Sequence, residues 1–467
     1  MVSDFMSAAT EMKDKLGPAL CLAKWQQVSL HLPTGMTNSC YHPPLHEIDA
    51  TLLKDNPSAL HNTPYKKQQR VIMLKQERPN ECSYCWTQED LGNLSDRHYR
   101  SGEPWAAEHF EEIVSATGDE DPIPSYVEVN FNHACNLKCS YCSPQFSSSW
   151  DDEVGRYGGY PTSNAHNDAS YFTGRRRPIP VREHNPYVDA FWAWWPSLYP
   201  RLKHFRMTGG EPLMDKNTYK VFDYVLAFPN PELHIDVTSN FSVEEPLWDK
   251  YLDYTKRLCN SNIEHFMQYV SLDSGNAAQA RYIRHGLDFW RVIKRTEEFL
   301  SEVRQRNSLT FIVTMNNLNV LGLKKLLQMI LDLRDMHSHT YQRVWFDTPM
   351  LRTPTWQSLQ ILPPVYASRL QDIVDWMSTN LETAERPFKG FKDYEVQRLQ
   401  RVVDWMNEGS KLSQEYVTMQ RADFYRFFNE YDKRITASWP DDSQTFEDVF
   451  PQMKEFWQEC KWHAENS

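Results

Sequence analysis

From residue 126 to about residue 348, short stretches that alternate apolar and polar residues are separated by longer stretches with helical periodicity. The first strand-like stretch is YVEVNF, from Tyr126 to Phe131. Five more follow: HFRM near Met207, HIDVTS ending at Ser239, FMQYVSLD ending at Asp273, LTFIVTM ending near Met315, and RVWFD ending at Asp347. Amphipathic stretches suited to helices include 187–199, 217–227, 287–304 and 321–334. This alternation predicts an α/β fold of βαβ units on a parallel sheet.

The segments on either side of this region have different patterns. The N-terminal segment contains a strand-like run, QVSLHL, followed by a turn at Thr34–Gly35. Beyond about Pro363 the chain is polar with helical periodicity. A chain of 467 residues suits two or three domains. We therefore expect an N-terminal module at 1–122, the α/β region at 123–350 and a helical C-terminal region at 351–467. The polar stretch 143–185 predicts a substrate lid or docking insertion.

Composition excludes several function classes. The net charge of −12 argues against a large nucleic-acid-binding surface, and the basic run 175–177 predicts a solvated loop or an anion contact. No apolar run approaches the ~20 residues of a membrane span, and the N-terminus lacks a signal-peptide layout. The nine cysteines fall mostly in short-spaced sets, which fits metal binding in a reducing cytosol better than a disulfide scaffold.

Three of these cysteines, Cys135, Cys139 and Cys142, lie just after the first predicted strand of the α/β region, in the run CNLKCSYC. One loop with this spacing can ligate three irons of a [4Fe–4S] cluster and leave the fourth iron open, whereas an electron carrier has four cysteine ligands. A zinc knuckle or free thiols are the alternatives. The loop follows the carboxyl end of a strand, where β/α barrels keep their active sites.

The C-x3-C-x2-C run, with Tyr141 before its last cysteine, resembles the signature of radical S-adenosylmethionine (SAM) enzymes. The resemblance implies a partial (β/α)6 TIM-like barrel. It also implies that SAM chelates the open iron, and that reduction of the cluster cleaves SAM to methionine and a 5′-deoxyadenosyl radical. That radical then takes a hydrogen atom from the substrate, so the cofactors supply the reactive chemistry.

Right-handed crossovers place the carboxyl ends of parallel strands on one face, so residues that follow strands should line one site. Gly209, Gly210 and Glu211 follow the second of these strands. Glycines permit close approach of a ligand, and a carboxylate accepts hydrogen bonds from an ammonium. The segment matches the family's GGE motif, which in relatives binds the SAM amino group. An ordinary strand-to-helix turn is the alternative.

Polar residues follow later strands as well. By similarity to the family, Ser239 and Asn240 would contact the SAM ribose or carboxylate, and Ser271 and Asp273 lie at the same rim. Arg284 resembles the arginine that many relatives direct at the SAM carboxylate, a role that suits its forked donors. A plain surface arginine is the alternative. The sequence assigns no catalytic acid or base.

Four more cysteines, Cys21, Cys40, Cys82 and Cys85, precede the predicted barrel. Four thiolates complete a closed metal site, and their spacing alone fits structural zinc as well as an iron–sulfur cluster. Their order, with a strand and a glycine turn between the first two and a final C-x2-C pair, resembles a SPASM or twitch module. That resemblance implies one auxiliary [4Fe–4S] cluster. In most relatives the module follows the barrel, whereas here it precedes it.

Residues near these four cysteines have further predicted roles, as alternative ligands or as parts of a linker. His42 and His46 lie close to Cys40 and could replace a ligand. Trp86, Glu89 and Arg97 are expected in the linker to the barrel.

Taken together, the sequence predicts a cytoplasmic radical SAM enzyme of the oxidoreductase type with two [4Fe–4S] clusters, one of which transfers electrons. The family resemblance implies a peptide or protein side chain as substrate, and a reducing partner such as a flavodoxin or ferredoxin. The alternatives are a dehydrogenase or rearrangement enzyme acting on a small molecule, and a non-catalytic zinc-binding interaction protein.

Overall fold

The computed structural model of the chain describes residues 2–167, 177–438 and 444–467. Contacts between residues divide the chain into two compact units. The first unit comprises Met1–His133, Arg176–Val237 and Asn260–Phe266, and the second comprises Ala134–Arg175, Thr238–Cys259 and Met267–Ser467. The division into 1–122, 123–350 and 351–467 stays a prediction.

Over the described residues the fold is α/β with a mixed central sheet of nine strands, and two further short strands pair with each other. In chain order the strands are β1 Gln27–His31, β2 Met36–Asn38, β3 His46–Glu47, β4 Tyr126–Asn130, β5 Lys138–Cys139, β6 His204–Thr208, β7 His234–Ser239, β8 His265–Ser271, β9 Arg284–His285, β10 Asn307–Ile312 and β11 Val344–Asp347.

Helices connect and cover the strands. They are α1 Val2–Leu16, α2 Ala23–Gln26, α3 Pro64–Leu74, α4 Ser83–Asp90, α5 Asp96–Gly102, α6 Pro104–Ala107, α7 Phe110–Val114, α8 Ser148–Tyr157, α9 Pro186–Leu198, α10 Lys216–Ala227, α11 Glu245–Asn260, α12 Ala277–Ile283, α13 Phe289–Glu302, α14 Leu323–His337, α15 Pro364–Ser378, α16 Asp393–Glu408, α17 Gln414–Ser438, α18 Phe446–Val449 and α19 Lys454–Glu465.

In the first unit the strand order is β7-β6-β4-β1-β2-β3. β1, β4, β6 and β7 are parallel and in register, so that Gln27, Tyr126, His204 and His234 lie side by side. Because side chains alternate along a strand, this register separates an apolar face from a polar one. The apolar face is fully buried and carries Val28, Leu30, Val127, Val129, Phe205, Met207, Ile235 and Val237.

The N-terminal strand β1 is part of this sheet. It pairs in parallel with β4 over five residues, from Gln27 opposite Tyr126 to His31 opposite Asn130. It also forms an antiparallel hairpin with β2, and the turn has Gly35 at a φ of +63°. A Cβ at Gly35 would lie 2.2 Å from the ring of Tyr187 in α9, so only glycine fits this turn.

The predicted strands and the four predicted helices between them are confirmed, with ends that differ by at most about three residues. The polar stretch 143–185 includes a helix, since Ser148–Tyr157 form α8, and its role as a substrate lid or docking insertion stays a prediction. Residues 168–176, including Arg175 and Arg176 of the basic run, lie outside the described residues. Among those described, no helix is long and apolar enough to cross a membrane. The C-terminal region is helical as predicted.

A buried ion pair fixes the C-terminal helices within the second unit. Arg334 of α14 bonds both carboxylate oxygens of Glu395 in α16, at 2.6 and 3.1 Å, and both side chains are at most 1% exposed. Arg334 also donates to the carbonyl oxygens of Val344 and Gly390, at 2.9 and 2.7 Å. One guanidinium therefore joins α14, β11 and α16.

Glu395→Gln should lower the free energy of unfolding by about 3–5 kcal/mol, because it leaves a buried guanidinium without a charged partner. Urea denaturation of the two proteins would measure the difference. The matched control is Asp335→Asn, since Asp335 pairs with Arg386 at the surface and its loss should change stability by under about 1 kcal/mol. Equal losses in the two variants would contradict the assigned role of this pair.

Candidate functional site

The loop that carries Cys135, Cys139 and Cys142 lies in the second unit and is held by α8. Ser149 Oγ donates to the carbonyl oxygen of Cys135 at 2.8 Å, and the N–H of Cys135 donates to Ser148 Oγ at 3.2 Å. The indole N–H of the buried Trp150 donates to the carbonyl oxygen of Cys139 at 2.9 Å. The N-terminal turn of α8 therefore fixes the first half of the loop.

The second half of the loop is held by residues 166–167. Asn167 Nδ2 donates to the carbonyl oxygen of Cys142 at 2.8 Å, and His166 Nε2 lies 3.3 Å from the carbonyl oxygen of Tyr141. All three cysteines are half-buried. These contacts hold the second half of the loop through its backbone groups.

A short ladder brings Arg284 to this loop. β5 pairs antiparallel with β9, which places Cys139 opposite Arg284, and the N–H of Ser140 donates to the carbonyl oxygen of Ile283 at 2.7 Å. Arg284 Nη1 lies 3.5 Å from Cys139 Sγ. The alternative of a plain surface arginine is wrong, since Arg284 is 6% exposed.

Asp273 joins these groups into one network. Its carboxylate accepts hydrogen bonds from Arg284 Nε at 2.7 Å, from the hydroxyl of Tyr141 at 2.8 Å and from the N–H of Thr314 at 2.9 Å. Burial lowers the pKa of Arg284, but Asp273, Tyr141 and Cys139 together outweigh it and raise that pKa well above its usual value. The guanidinium beside Cys139 is therefore permanently charged.

Burial raises the pKa of the Cys142 thiol to about 12, and the neighbouring Cys139 adds to this. Burial also raises the pKa of Cys139, although Arg284 opposes the rise. Thiolates in such positions need positive charge nearby, which a bound metal provides. The three thiols and their surroundings thus fit a metal cluster better than they fit exposed reactive thiols.

Asn240 also contacts the cysteine loop. Its Nδ2 donates to Asn136 Oδ1 at 2.9 Å, and Asn136 Nδ2 donates to the carbonyl oxygen of Ser242 at 2.9 Å. The hydroxyl of Ser239 accepts from the N–H of Phe241 at 3.0 Å, so it caps a turn. Ser271 is half-buried at the end of β8. The structure thus brings Asn240, Tyr141, Asp273 and Arg284 together with the cysteine loop.

The glycine–glutamate segment lies in the first unit. Gly209 has a φ of +123°, and a Cβ there would lie 2.2 Å from Asn130 Oδ1. The N–H of Gly210 faces the carbonyl oxygen of Asn132 at 3.4 Å. Glu211 is 2% exposed and its carboxylate accepts from the N–H of Leu213 at 3.1 Å. Part of the motif is therefore explained by the turn itself, as the alternative interpretation requires.

The four N-terminal cysteines meet in the first unit. Cys21, Cys40, Cys82 and Cys85 line one pocket although 64 residues of sequence separate the first from the last. Burial and nearby thiols raise the pKa of Cys82 to about 11 and that of Cys85 to about 12. The structure therefore brings together all four residues that the sequence singled out.

A buried lysine, Lys24, also lines this pocket. Lys24 is 2% exposed and pairs with Glu81. Burial lowers the pKa of Lys24, but Cys82, Glu81 and Cys40 outweigh it and raise that pKa above its usual value. The pocket thus combines four thiols with a fixed positive charge, which suits an anionic metal–thiolate centre.

Three residues expected in a linker belong instead to this core. Trp86 and Arg97 line the same pocket, and Arg97 lies over the Trp86 ring at 5.4 Å. Glu89 pairs with Arg97 at 2.8 Å. The linker prediction is wrong because the indole and the ion pair are buried. His42 also lines the pocket, with Nε2 2.5 Å from Asp96 Oδ2, whereas His46 bonds Thr63.

Neither cysteine set forms a preformed single-ion site. Over residues 2–167, 177–438 and 444–467, no group of three or more histidine, cysteine, aspartate or glutamate side chains is arranged to hold one metal ion. The donor sets still fit clusters by their chemistry, with three and four thiols respectively beside a cation.

Sequence reasoning missed the polar face of the sheet in the first unit. Three cross-strand rows there place polar residues side by side: Gln27, Tyr126, His204 and His234; Ser29, Glu128, Arg206 and Asp236; and His31, Asn130 and Thr208. Barrel interiors are usually filled with branched apolar residues. The signal was present in the sequence, because YVEVN, HFRMT and HIDVTS place polar residues at the same alternate positions.

The histidines of this face are neutral. His204 and His234 stack with ring centroids 4.5 Å apart, and Tyr126 stacks on His204 at 5.3 Å. Burial and the neighbouring His234 together lower the pKa of His204 to about 3.

Comparison of the sequence with models of known families and with curated proteins gives no match.

Proposed function

We propose that this chain is a radical SAM enzyme that binds a [4Fe–4S] cluster through Cys135, Cys139 and Cys142. The observation that supports this best is the fixed cysteine loop with Arg284 at Cys139 Sγ. A guanidinium beside a thiol favours the thiolate, which is the form that ligates iron. The proposal includes the partial (β/α)6 barrel. A barrel of this kind is built from parallel strands, and each unit contains parallel strands.

When bound, such a cluster would supply the electron that cleaves SAM to methionine and a 5′-deoxyadenosyl radical, and that radical would take a hydrogen atom from the substrate. Residues of the chain would bind and orient the reactants. Glu211 would accept hydrogen bonds from the SAM ammonium, and Ser239, Asn240 and Ser271 would contact the ribose or carboxylate.

The contacts of Arg284 favour a positioning role over a direct contact with SAM. Three of its nitrogens already bond Asp273 and Cys139. Hydrogen bonds to cluster sulfurs and nearby charge set the reduction potential of iron–sulfur clusters. Arg284 would therefore orient the loop and make its cluster easier to reduce, while Asp273 and Tyr141 fix the guanidinium.

We also propose an auxiliary [4Fe–4S] cluster at Cys21, Cys40, Cys82 and Cys85. Held by these four thiolates, such a cluster would supply an acceptor for the electron that the substrate radical loses on oxidation. The resemblance to SPASM and twitch modules supports a peptide or protein side chain as the proposed substrate. A flavodoxin or ferredoxin in a reducing compartment such as the cytoplasm would deliver the first electron.

Replacing Cys135, Cys139 and Cys142 together with alanine should abolish conversion of SAM to 5′-deoxyadenosine by the reduced, reconstituted protein. Without thiolates the loop cannot hold the cluster that delivers the electron. Chromatography of the nucleoside product would measure the reaction. Cys460→Ala, which removes a buried thiol outside both sets, is the control and should retain activity. Cleavage at the wild-type rate by the triple variant would refute the assignment.

The reconstituted chain should contain about eight irons, because two four-iron clusters are proposed. The triple variant should keep about four, since the N-terminal pocket forms independently of the loop. Replacing Cys82 and Cys85 with alanine should remove the other four. Iron and sulfide analysis with elemental detection of zinc would measure this. One tightly bound zinc and only four irons in the wild type would instead favour a structural zinc site in the N-terminal pocket.

Glu211→Gln should lower the affinity for SAM about 10- to 100-fold, because a charge-assisted hydrogen bond contributes about 1.5–3 kcal/mol. The amide oxygen of the new side chain can still accept from the N–H of Leu213, so the turn should persist. Titration of SAM into the reduced protein, followed by electron paramagnetic resonance, measures the affinity. Glu232→Gln, at an exposed pair with Lys203, is the matched control. Equal affinities in both variants would show that Glu211 only caps the turn.

A further inference from the structure

Asp236 of β7 has a buried carboxylate. The residue is 7% exposed, and its carboxylate makes no hydrogen bond or ion pair with any described residue. Burial raises its pKa to about 7, with Arg206 opposing the rise and Glu128 adding to it. Buried carboxylates in proteins are normally paired or hydrogen-bonded. A side chain that departs from this rule on a sheet face points to a binding site.

The neighbours of Asp236 do not satisfy it. Asp236, Arg206 and Glu128 occupy one cross-strand row of the polar face. Arg206 Nε forms an ion pair with Glu128 Oε2 at 3.4 Å, whereas Asp236 has only a longer-range attraction to the same guanidinium. The row therefore has two carboxylates for one cation, and the charge that is left over lies at Asp236.

Other polar groups on the same face are also without partners. Gln27 is 0% exposed, and neither its side-chain oxygen nor its nitrogen has a hydrogen-bond partner. The hydroxyl of Ser29, at the β1 end of the Asp236 row, is likewise unpaired. β1 lies three strands from β7, which is about 14 Å along the sheet at the usual strand spacing. Gln27 and Ser29 are closed off from solvent, so the accessible part of the face lies at β4 and β6, next to Asp236.

We propose that this face binds the substrate of the enzyme, and that the substrate is a peptide with a lysine or arginine side chain paired to Asp236. This inference rests on the proposed function. A cation neutralises the carboxylate that the chain leaves unpaired. Glu128 and Arg206 beside it are only half-buried, so a substrate side chain can reach this part of the face.

Ligand-observed nuclear magnetic resonance with the full reconstituted chain tests this proposal without requiring catalysis. The probes are two acetylated, amidated pentapeptides, Ala-Gly-Lys-Gly-Ala and its analogue with norleucine in place of lysine. The lysine peptide should bind at least about 10-fold more tightly, and Asp236→Asn should abolish that preference. Asp249→Asn, the same change on the exposed surface of α11, should retain it.

Thermal unfolding of Asp236→Asn provides a second measurement. If Asp236 serves a ligand and not the fold, its midpoint should be unchanged or higher than that of the wild type, because the variant removes an unpaired buried charge. Equal binding of the two peptides by the wild type, no binding of either, or a preserved lysine preference in Asp236→Asn would overturn the proposal. None of these outcomes bears on SAM cleavage, so the two proposals can fail separately.

Discussion

The first unit depends on one constraint, the two-residue period that β1, β4, β6 and β7 share in register. Because the strands are parallel and aligned, every apolar side chain falls on one face, and that face is completely buried. A shift of one residue in any strand would place a charged residue such as Arg206 or Asp236 in the apolar layer, at a large cost in free energy. The polar face is thus fixed as strictly as the core.

Each of the two cysteine sets has a cation beside its thiols, but the two cations differ. In the N-terminal pocket a buried lysine, Lys24, lies among the thiols and shares its charge with Glu81. At the loop the cation is Arg284, which Asp273 holds from the opposite side. A lysine is a compact point charge, whereas an arginine is a planar fork that can bond a carboxylate and a sulfur together. The guanidinium at the loop is therefore held in one orientation. The ammonium of Lys24 in the pocket is a compact charge that has no plane to orient.

Local patterns carried most of the prediction. The strands were predictable because polar and apolar residues alternate, and the cysteine sets because their spacing is short or paired. The residues that contact the cysteines were not predictable from the sequence. Arg284 reaches Cys139 through a two-residue ladder too short to show a pattern, and α8 lies in a stretch whose serines and glycines suggest a loop. Arg97 was expected in a linker, and its burial was not predictable because it depends on hydrogen bonds to the carbonyl oxygens of Leu20 and Gly17, 77 and 80 residues away.

The pairing of β1 with β4 makes the N-terminal segment inseparable from the region that follows it. Removal of the first 122 residues would leave one side of β4 as a bare edge of unpaired backbone donors and acceptors, with Val127 and Val129 beside it. Such an edge recruits strands from other chains. A protein shortened in this way would therefore aggregate instead of folding as a separate domain, and a fusion partner is better attached ahead of α1 than between the two segments.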